Sequence, residues 1–94
     1  MISVQEVAES FAGTGASVWE VDTLRESIVE SLVSLGVSPN AEWDFHGPRR
    51  KTACSLDDAA EQLVDRYTGG TPHMGECDVI KEGIERGLRK IGRS

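Results

Sequence analysis

The chain has 94 residues, with 16 acids against 10 bases and a net charge of −6, the size of one small domain with a modest core. Its 38% hydrophobic and 28% charged content exclude a disordered chain, and no apolar run exceeds two residues, which excludes an uninterrupted apolar span. The charge is lopsided: residues 1–47 hold eight acids opposed only by Arg25, while residues 48–94 hold eight acids against nine bases.

The first predicted element runs from Ser3 to Ala12. Ser3 and Glu6 have the spacing of a capping box, Val4, Val7, Ala8 and Phe11 share one helical face, and Gly13 can stop the helix. A second helix is expected from about Ser17 to Leu35. Ser17 and Glu20 can form its box, Val21, Leu24, Ile28, Leu32 and Leu35 make a continuous stripe, and Gly36 ends it. Asp22 is an alternative cap for a shorter version.

From Val37 to Ser55 the helical period disappears. Connections this long without structure of their own are uncommon in small domains. Glu42 to His46 alternates polar and apolar residues, Gly47-Pro48 signals a turn, and Arg49 to Cys54 has room for a return strand. The stretch therefore reads as an irregular insert or a short β-hairpin.

The period returns in a third helix, Leu56 to Thr68, opened by Ser55 and Asp58 and closed by Gly69-Gly70. Its stripe is Leu56, Ala59, Ala60, Leu63, Val64 and Tyr67. The fourth covers roughly Glu76 to Ile91, with Ile80, Ile84, Leu88 and Ile91 on one face; a Thr71 cap followed by Pro72 would start it earlier. Gly83 and Gly87 lie at a four-residue spacing inside it, each costing about 0.8–1 kcal/mol relative to Ala. That cost implies a close helix neighbour, from the same chain or from a second copy in a homodimer.

Two groups of residues suggest a partner surface. On the second helix, Asp22, Glu26 and Glu30 follow one another at i,i+4, and Trp19 lies on the same side, off the apolar stripe. Like charges at that spacing repel, and an aromatic among carboxylates suits a docking face for a basic partner; the plainer alternative is a solvated helix face. In the insert, Trp43 and Phe45 precede Arg49-Arg50-Lys51, the only run of three bases. These form an apolar wedge beside a basic tip, unless the aromatics simply cap the open end of the core.

Chemistry is hard to find. The two histidines and two cysteines form the pairs His46/Cys54 and His73/Cys77, a count that would complete a zinc tetrahedron. The first pair is too widely spaced for a zinc knuckle, and Cys77 falls on an apolar stripe, where cysteine behaves as a small hydrophobe. No metal site and no cofactor are expected. No nucleophile elbow, phosphate loop or His-Glu-x-x-His motif occurs, so the sequence does not read as an enzyme. The N-terminal Met1-Ile2-Ser3-Val4-Gln5-Glu6 lacks the basic start and apolar run of a signal peptide, and two cysteines are too few for a disulfide framework; both point to the cytoplasm.

The expectation is a single mainly α domain over residues 1–94: four compact helices with an irregular or hairpin insert between the second and third. Its expected role is protein–protein contact, as an inhibitor or adaptor of a larger host factor such as phages or plasmids carry. The partner-facing residues are Trp19, Asp22, Glu26, Glu30, Trp43, Phe45, Arg49, Arg50 and Lys51. The alternative is a DNA-binding regulator of helix-turn-helix or winged-helix type. The first two helices would then form the reading pair, and Arg49, Arg50 and Lys51 would contact phosphates.

Overall fold

Serines start three of the four helices found among the described residues. The computed structural model describes residues 3–13, 15–38, 43, 55–69 and 74–93. Ser3 opens α1 (Val4–Ala12), its hydroxyl accepting the Glu6 N–H at 3.1 Å. At the start of α2 (Val18–Ser34), Glu20 Oε1 accepts the Ser17 backbone N–H at 3.2 Å and the Ser17 hydroxyl at 2.9 Å. Ser55 opens α3 (Leu56–Thr68) by accepting the Asp58 N–H at 3.2 Å. The bonds to backbone N–H groups satisfy helix-terminal donors that have no partner within the helix ladder. The last helix, α4 (Met74–Lys90), begins two residues before the expected Glu76; the Thr71 and Pro72 cap lies outside the described residues.

The end of α2 is a paired-bond stop. Val37 N–H reaches Leu32 O at 3.1 Å and Gly36 N–H reaches Val33 O at 2.9 Å, with Gly36 at φ 89°, a conformation that residues with a Cβ rarely adopt. The same pair of bonds closes α4, where Gly92 N–H meets Arg89 O at 3.1 Å and Arg93 N–H meets Leu88 O at 2.8 Å.

The four helices bury one continuous core. Leu24, Ile28 and Leu32 of α2 share one buried cluster with Val4, Val7, Ala8 and Ala12 of α1, and the core continues through Leu63, Val64, Ile80 and Ile84. Burying each large aliphatic side chain stabilises the fold by about 1.5–3 kcal/mol. Helix α4 packs against both α2 and α3, and α1 packs on α2. The chain directions follow from the pairs that meet. Gly83 meets Ser31, Gly87 meets Leu24 and Arg93 meets Glu20, so α4 runs antiparallel to α2. On its other flank, Lys81 Nζ lies 2.6 Å from Asp57 Oδ1 and 3.5 Å from Asp78 Oδ1, and the hydrogen bond to Asp57 raises the lysine pKa.

The α2–α4 contact explains the two helical glycines. A Cβ on Gly83 would overlap Ser31 Oγ, and one on Gly87 would lie 2.5 Å from Leu24 Cδ1 and 3.1 Å from Leu24 Cα. The buried hydroxyls on the facing side stay within their own helix: Ser27 Oγ donates to Thr23 O at 3.2 Å and Ser31 Oγ to Ser27 O at 3.1 Å. They ask nothing of α4, so the glycine backbone can close on them. The surface a second copy would need at Gly83 and Gly87 is thus filled by α2 of the same chain.

No strand forms among the described residues, and the expected hairpin is not supported. Most of that stretch, residues 39–42 and 44–54, lies outside them. Trp43, which is described, is only 4% exposed and meets the Tyr67 ring edge-on, with centroids 5.9 Å apart and planes at 89°. It packs into the core.

Leu63→Ala and Ile84→Ala should each destabilise by about 2–5 kcal/mol, because both side chains are fully enclosed and leave a cavity. Glu61→Ala, at an exposed position, should be nearly neutral; midpoints of urea unfolding make the comparison. Gly83→Ala separates packing from propensity. In an isolated helix it would gain about 1 kcal/mol, whereas against Ser31 it should lose about 1–3 kcal/mol by overpacking. Repeating it in a Ser31→Gly background should recover much of the loss.

Candidate functional site

Helix α2 buries Leu24, Ile28 and Leu32 against the core and turns its opposite side outward. At 100° per residue, Trp19, Asp22, Glu26, Glu30 and Val33 fall within a sector of about 80°. Val18 adjoins that sector at its N-terminal end. Val18 is 77% exposed, Trp19 60% and Val33 48%. They are the large hydrophobic side chains found exposed among the described residues, and all three stand on α2. Trp19 therefore does not stand alone as an exposed apolar side chain on this helix. Val18 and Val33 were missed because attention to the main stripe passes over single apolar residues outside it; placing every apolar residue on the wheel would have found them.

The acids between these apolar ends are only loosely matched. Asp22 Oδ1 lies 3.7 Å from Arg25 Nη2, and Glu30 Oε2 lies 3.9 Å from Arg86 Nη2. Exposed pairs at such distances contribute little. Glu26 has no ion pair among the described residues. The face thus keeps its negative character along its middle.

Glu20 plays a different part from its neighbours. Besides holding Ser17, its Oε2 accepts from Arg93 Nε at 3.0 Å. The bonds from the Ser17 backbone and hydroxyl, then from Arg93, hold the Glu20 pKa below the ordinary glutamate value. The Arg93 guanidinium also lies against the α1–α2 corner, where a Cβ on Gly13 would come 3.1 Å from Nη1. One arginine past the end of α4 therefore fixes the N-terminal end of α2 from which Val18 and Trp19 project. No local pattern announces a contact between residues 73 positions apart.

The remaining sequence candidates divide sharply. Trp43 is buried, so it is a core residue and not part of a partner surface; its indole fills space beside Tyr67. Phe45, Arg49, Arg50 and Lys51 lie outside the described residues. So do His46, Cys54 and His73, and among the described residues no group of three or more His, Cys, Asp or Glu converges to hold a metal ion. Cys77 is half-buried, and burial, then Glu61, Asp78 and Glu76, push its thiol pKa up. That environment favours the protonated thiol over a reactive thiolate. No described helix is long and apolar enough to cross a membrane.

Comparison of the chain with models of known protein families, with characterised proteins and with solved structures finds no match. Function must therefore be argued from these side chains.

The Glu20 anchor predicts a specific pH response. A carboxylate whose pKa is lower folded than unfolded adds stability above the unfolded value, and loses it as pH falls through the folded one. The gap in urea midpoint between the wild type and Glu20→Gln should be largest at neutral pH and should close towards about pH 3, below the usual carboxylate range. A gap constant across that interval would show that the Glu20 charge contributes nothing.

Proposed function

We propose that the protein is a small docking module that works by protein–protein contact through the outward face of α2, in the manner of an inhibitor or adaptor of a larger factor. One observation carries this reading. Three large apolar side chains, one of them a tryptophan, stand exposed on a single helix whose opposite side is locked into the core. Exposed tryptophan is costly to leave in water and is enriched among the anchors of protein interfaces.

Electrostatics support a protein partner over DNA. Of the first two helices, α2 would be the one to enter a groove, and its outward face carries Asp22, Glu26 and Glu30. Duplex DNA presents one negative charge per about 1.7 Å of axis, so that face would be repelled. Of the bases on and just past α4, Arg86 and Arg93 approach α2 acids and Lys81 is held by Asp57, which leaves only Arg89 and Lys90 exposed without an ion pair among the described residues.

Affinity capture from the native host, with nuclease treatment in parallel, tests the proposal. A protein should be retained by the wild type, survive nuclease, and be lost by roughly 30-fold or more in affinity for Trp19→Ala, the effect of removing a ~2 kcal/mol hot spot. Circular dichroism should be unchanged, since Trp19 is exposed. Retention that depends on nucleic acid, or that ignores Trp19→Ala, would reject the reading.

A further inference from the structure

We infer that the α2 face receives a basic amphipathic helix of about four turns, and that its acids hold off a second copy of this chain. The inference rests on the docking role proposed above and specifies the partner's chemistry.

The length comes from the apolar ends. Trp19 and Val33 are 14 positions apart on one helix, so at 1.5 Å per residue they are separated by about 21 Å along the axis. A helix that touches both must run alongside α2 for that distance. A strand would gain no backbone pairing here, since no sheet edge exists among the described residues. A helix keeps its own hydrogen bonds internal and offers only side chains.

The charge follows from the symmetry of the pattern. The positions are arranged about Glu26: Trp19 and Val33 are equidistant from it, and so are Asp22 and Glu30. In an antiparallel pair of two α2 faces, Trp19 would meet Val33 at both ends, a favourable match. Between them, however, Asp22 would face Glu30, Glu26 would face Glu26 and Glu30 would face Asp22. A twofold interface must be self-complementary, and this one sets like charges opposite each other at every central position. Exchanging the acids of the second helix for lysines or arginines removes the conflict and keeps the apolar match. The resulting partner has an aliphatic or aromatic residue at each end and three cations between them at four-residue intervals.

The probe is an Ala-rich synthetic peptide of the form Leu-x-x-Lys-x-x-x-Lys-x-x-x-Lys-x-x-Leu, titrated into the full chain by calorimetry and by ¹H–¹⁵N spectra. The two indole N–H signals serve as internal reporters, because Trp19 is exposed and Trp43 buried. The peptide should bind with the Trp19 indole shifting and the Trp43 indole still. Affinity should fall about tenfold or more when salt is raised, as expected for exposed charges, and similarly when the lysines become glutamates or the sequence is scrambled. The variant carrying Asp22→Asn, Glu26→Gln and Glu30→Gln should lose the peptide while keeping its helical spectrum.

Equal binding of the scrambled peptide, an unmoved Trp19 signal, or a wild-type chain that sediments as a dimer with Trp19 protected would each overturn the inference. If a captured partner depends on Trp19 but the peptide fails, the docking role stands and the basic-helix occupant falls. If Trp19→Ala also leaves capture unchanged, both fall.

Discussion

Helix α4 reaches the backbone of α2 because Gly83 and Gly87 carry no Cβ where Ser31 and Leu24 press against them. The approach works only because the facing hydroxyls are already satisfied. Ser27 and Ser31 donate to carbonyls one turn back in their own helix, so the seam contains small side chains without a stranded donor. Buried polar groups left unpaired cost about 1–3 kcal/mol each, and a seam of serines without this back-bonding would have opposed the packing it permits. The glycines lower the intrinsic stability of α4, and close contact along its length offsets that cost.

The position of the outward face depends on this seam. With Leu24, Ile28 and Leu32 committed to the core, and Ser27 and Ser31 committed to α4, α2 has one rotational setting. That setting leaves Trp19, Asp22, Glu26, Glu30 and Val33 outside. The ends are held as well: the paired-bond stop at Gly36 closes one, and Glu20, shared between Ser17 and Arg93, secures the other. A docking surface on such a helix is rigid before it meets a partner, which reduces the ordering cost of association.

Charge is distributed to match. The acids nearest α4 meet arginines, Glu20 with Arg93 and Glu30 with Arg86, while Glu26 at the centre of the face stays unmatched among the described residues. The imbalance between the two halves of the chain thus becomes an arrangement in space. Two arginines of the C-terminal half meet α2 acids along the α2–α4 edge, and Asp22, Glu26 and Glu30 are displayed on the side of α2 away from the core.

Local signals made most of the architecture legible. Serine caps followed by an acid three residues later, apolar residues at helical spacing and glycines just past the last turn placed α1, α2 and α3 within a residue or two, because each depends on atoms within one or two turns. Trp19 and the acid row were visible for the same reason. Three things were not. Trp43 reads as surface or core with equal ease, since burial of a lone aromatic in a loop depends on where Tyr67 stands in space. Gly83 and Gly87 announced a close neighbour without naming it, and only the antiparallel course of α4 shows the neighbour to be α2 of the same chain. The Glu20–Arg93 bond joins residues 73 positions apart in the chain. Helix formation is a short-range property of the chain and can be read in order along it, whereas which faces are covered, and which is left open to a partner, is decided by contacts between residues that only the folded chain brings together.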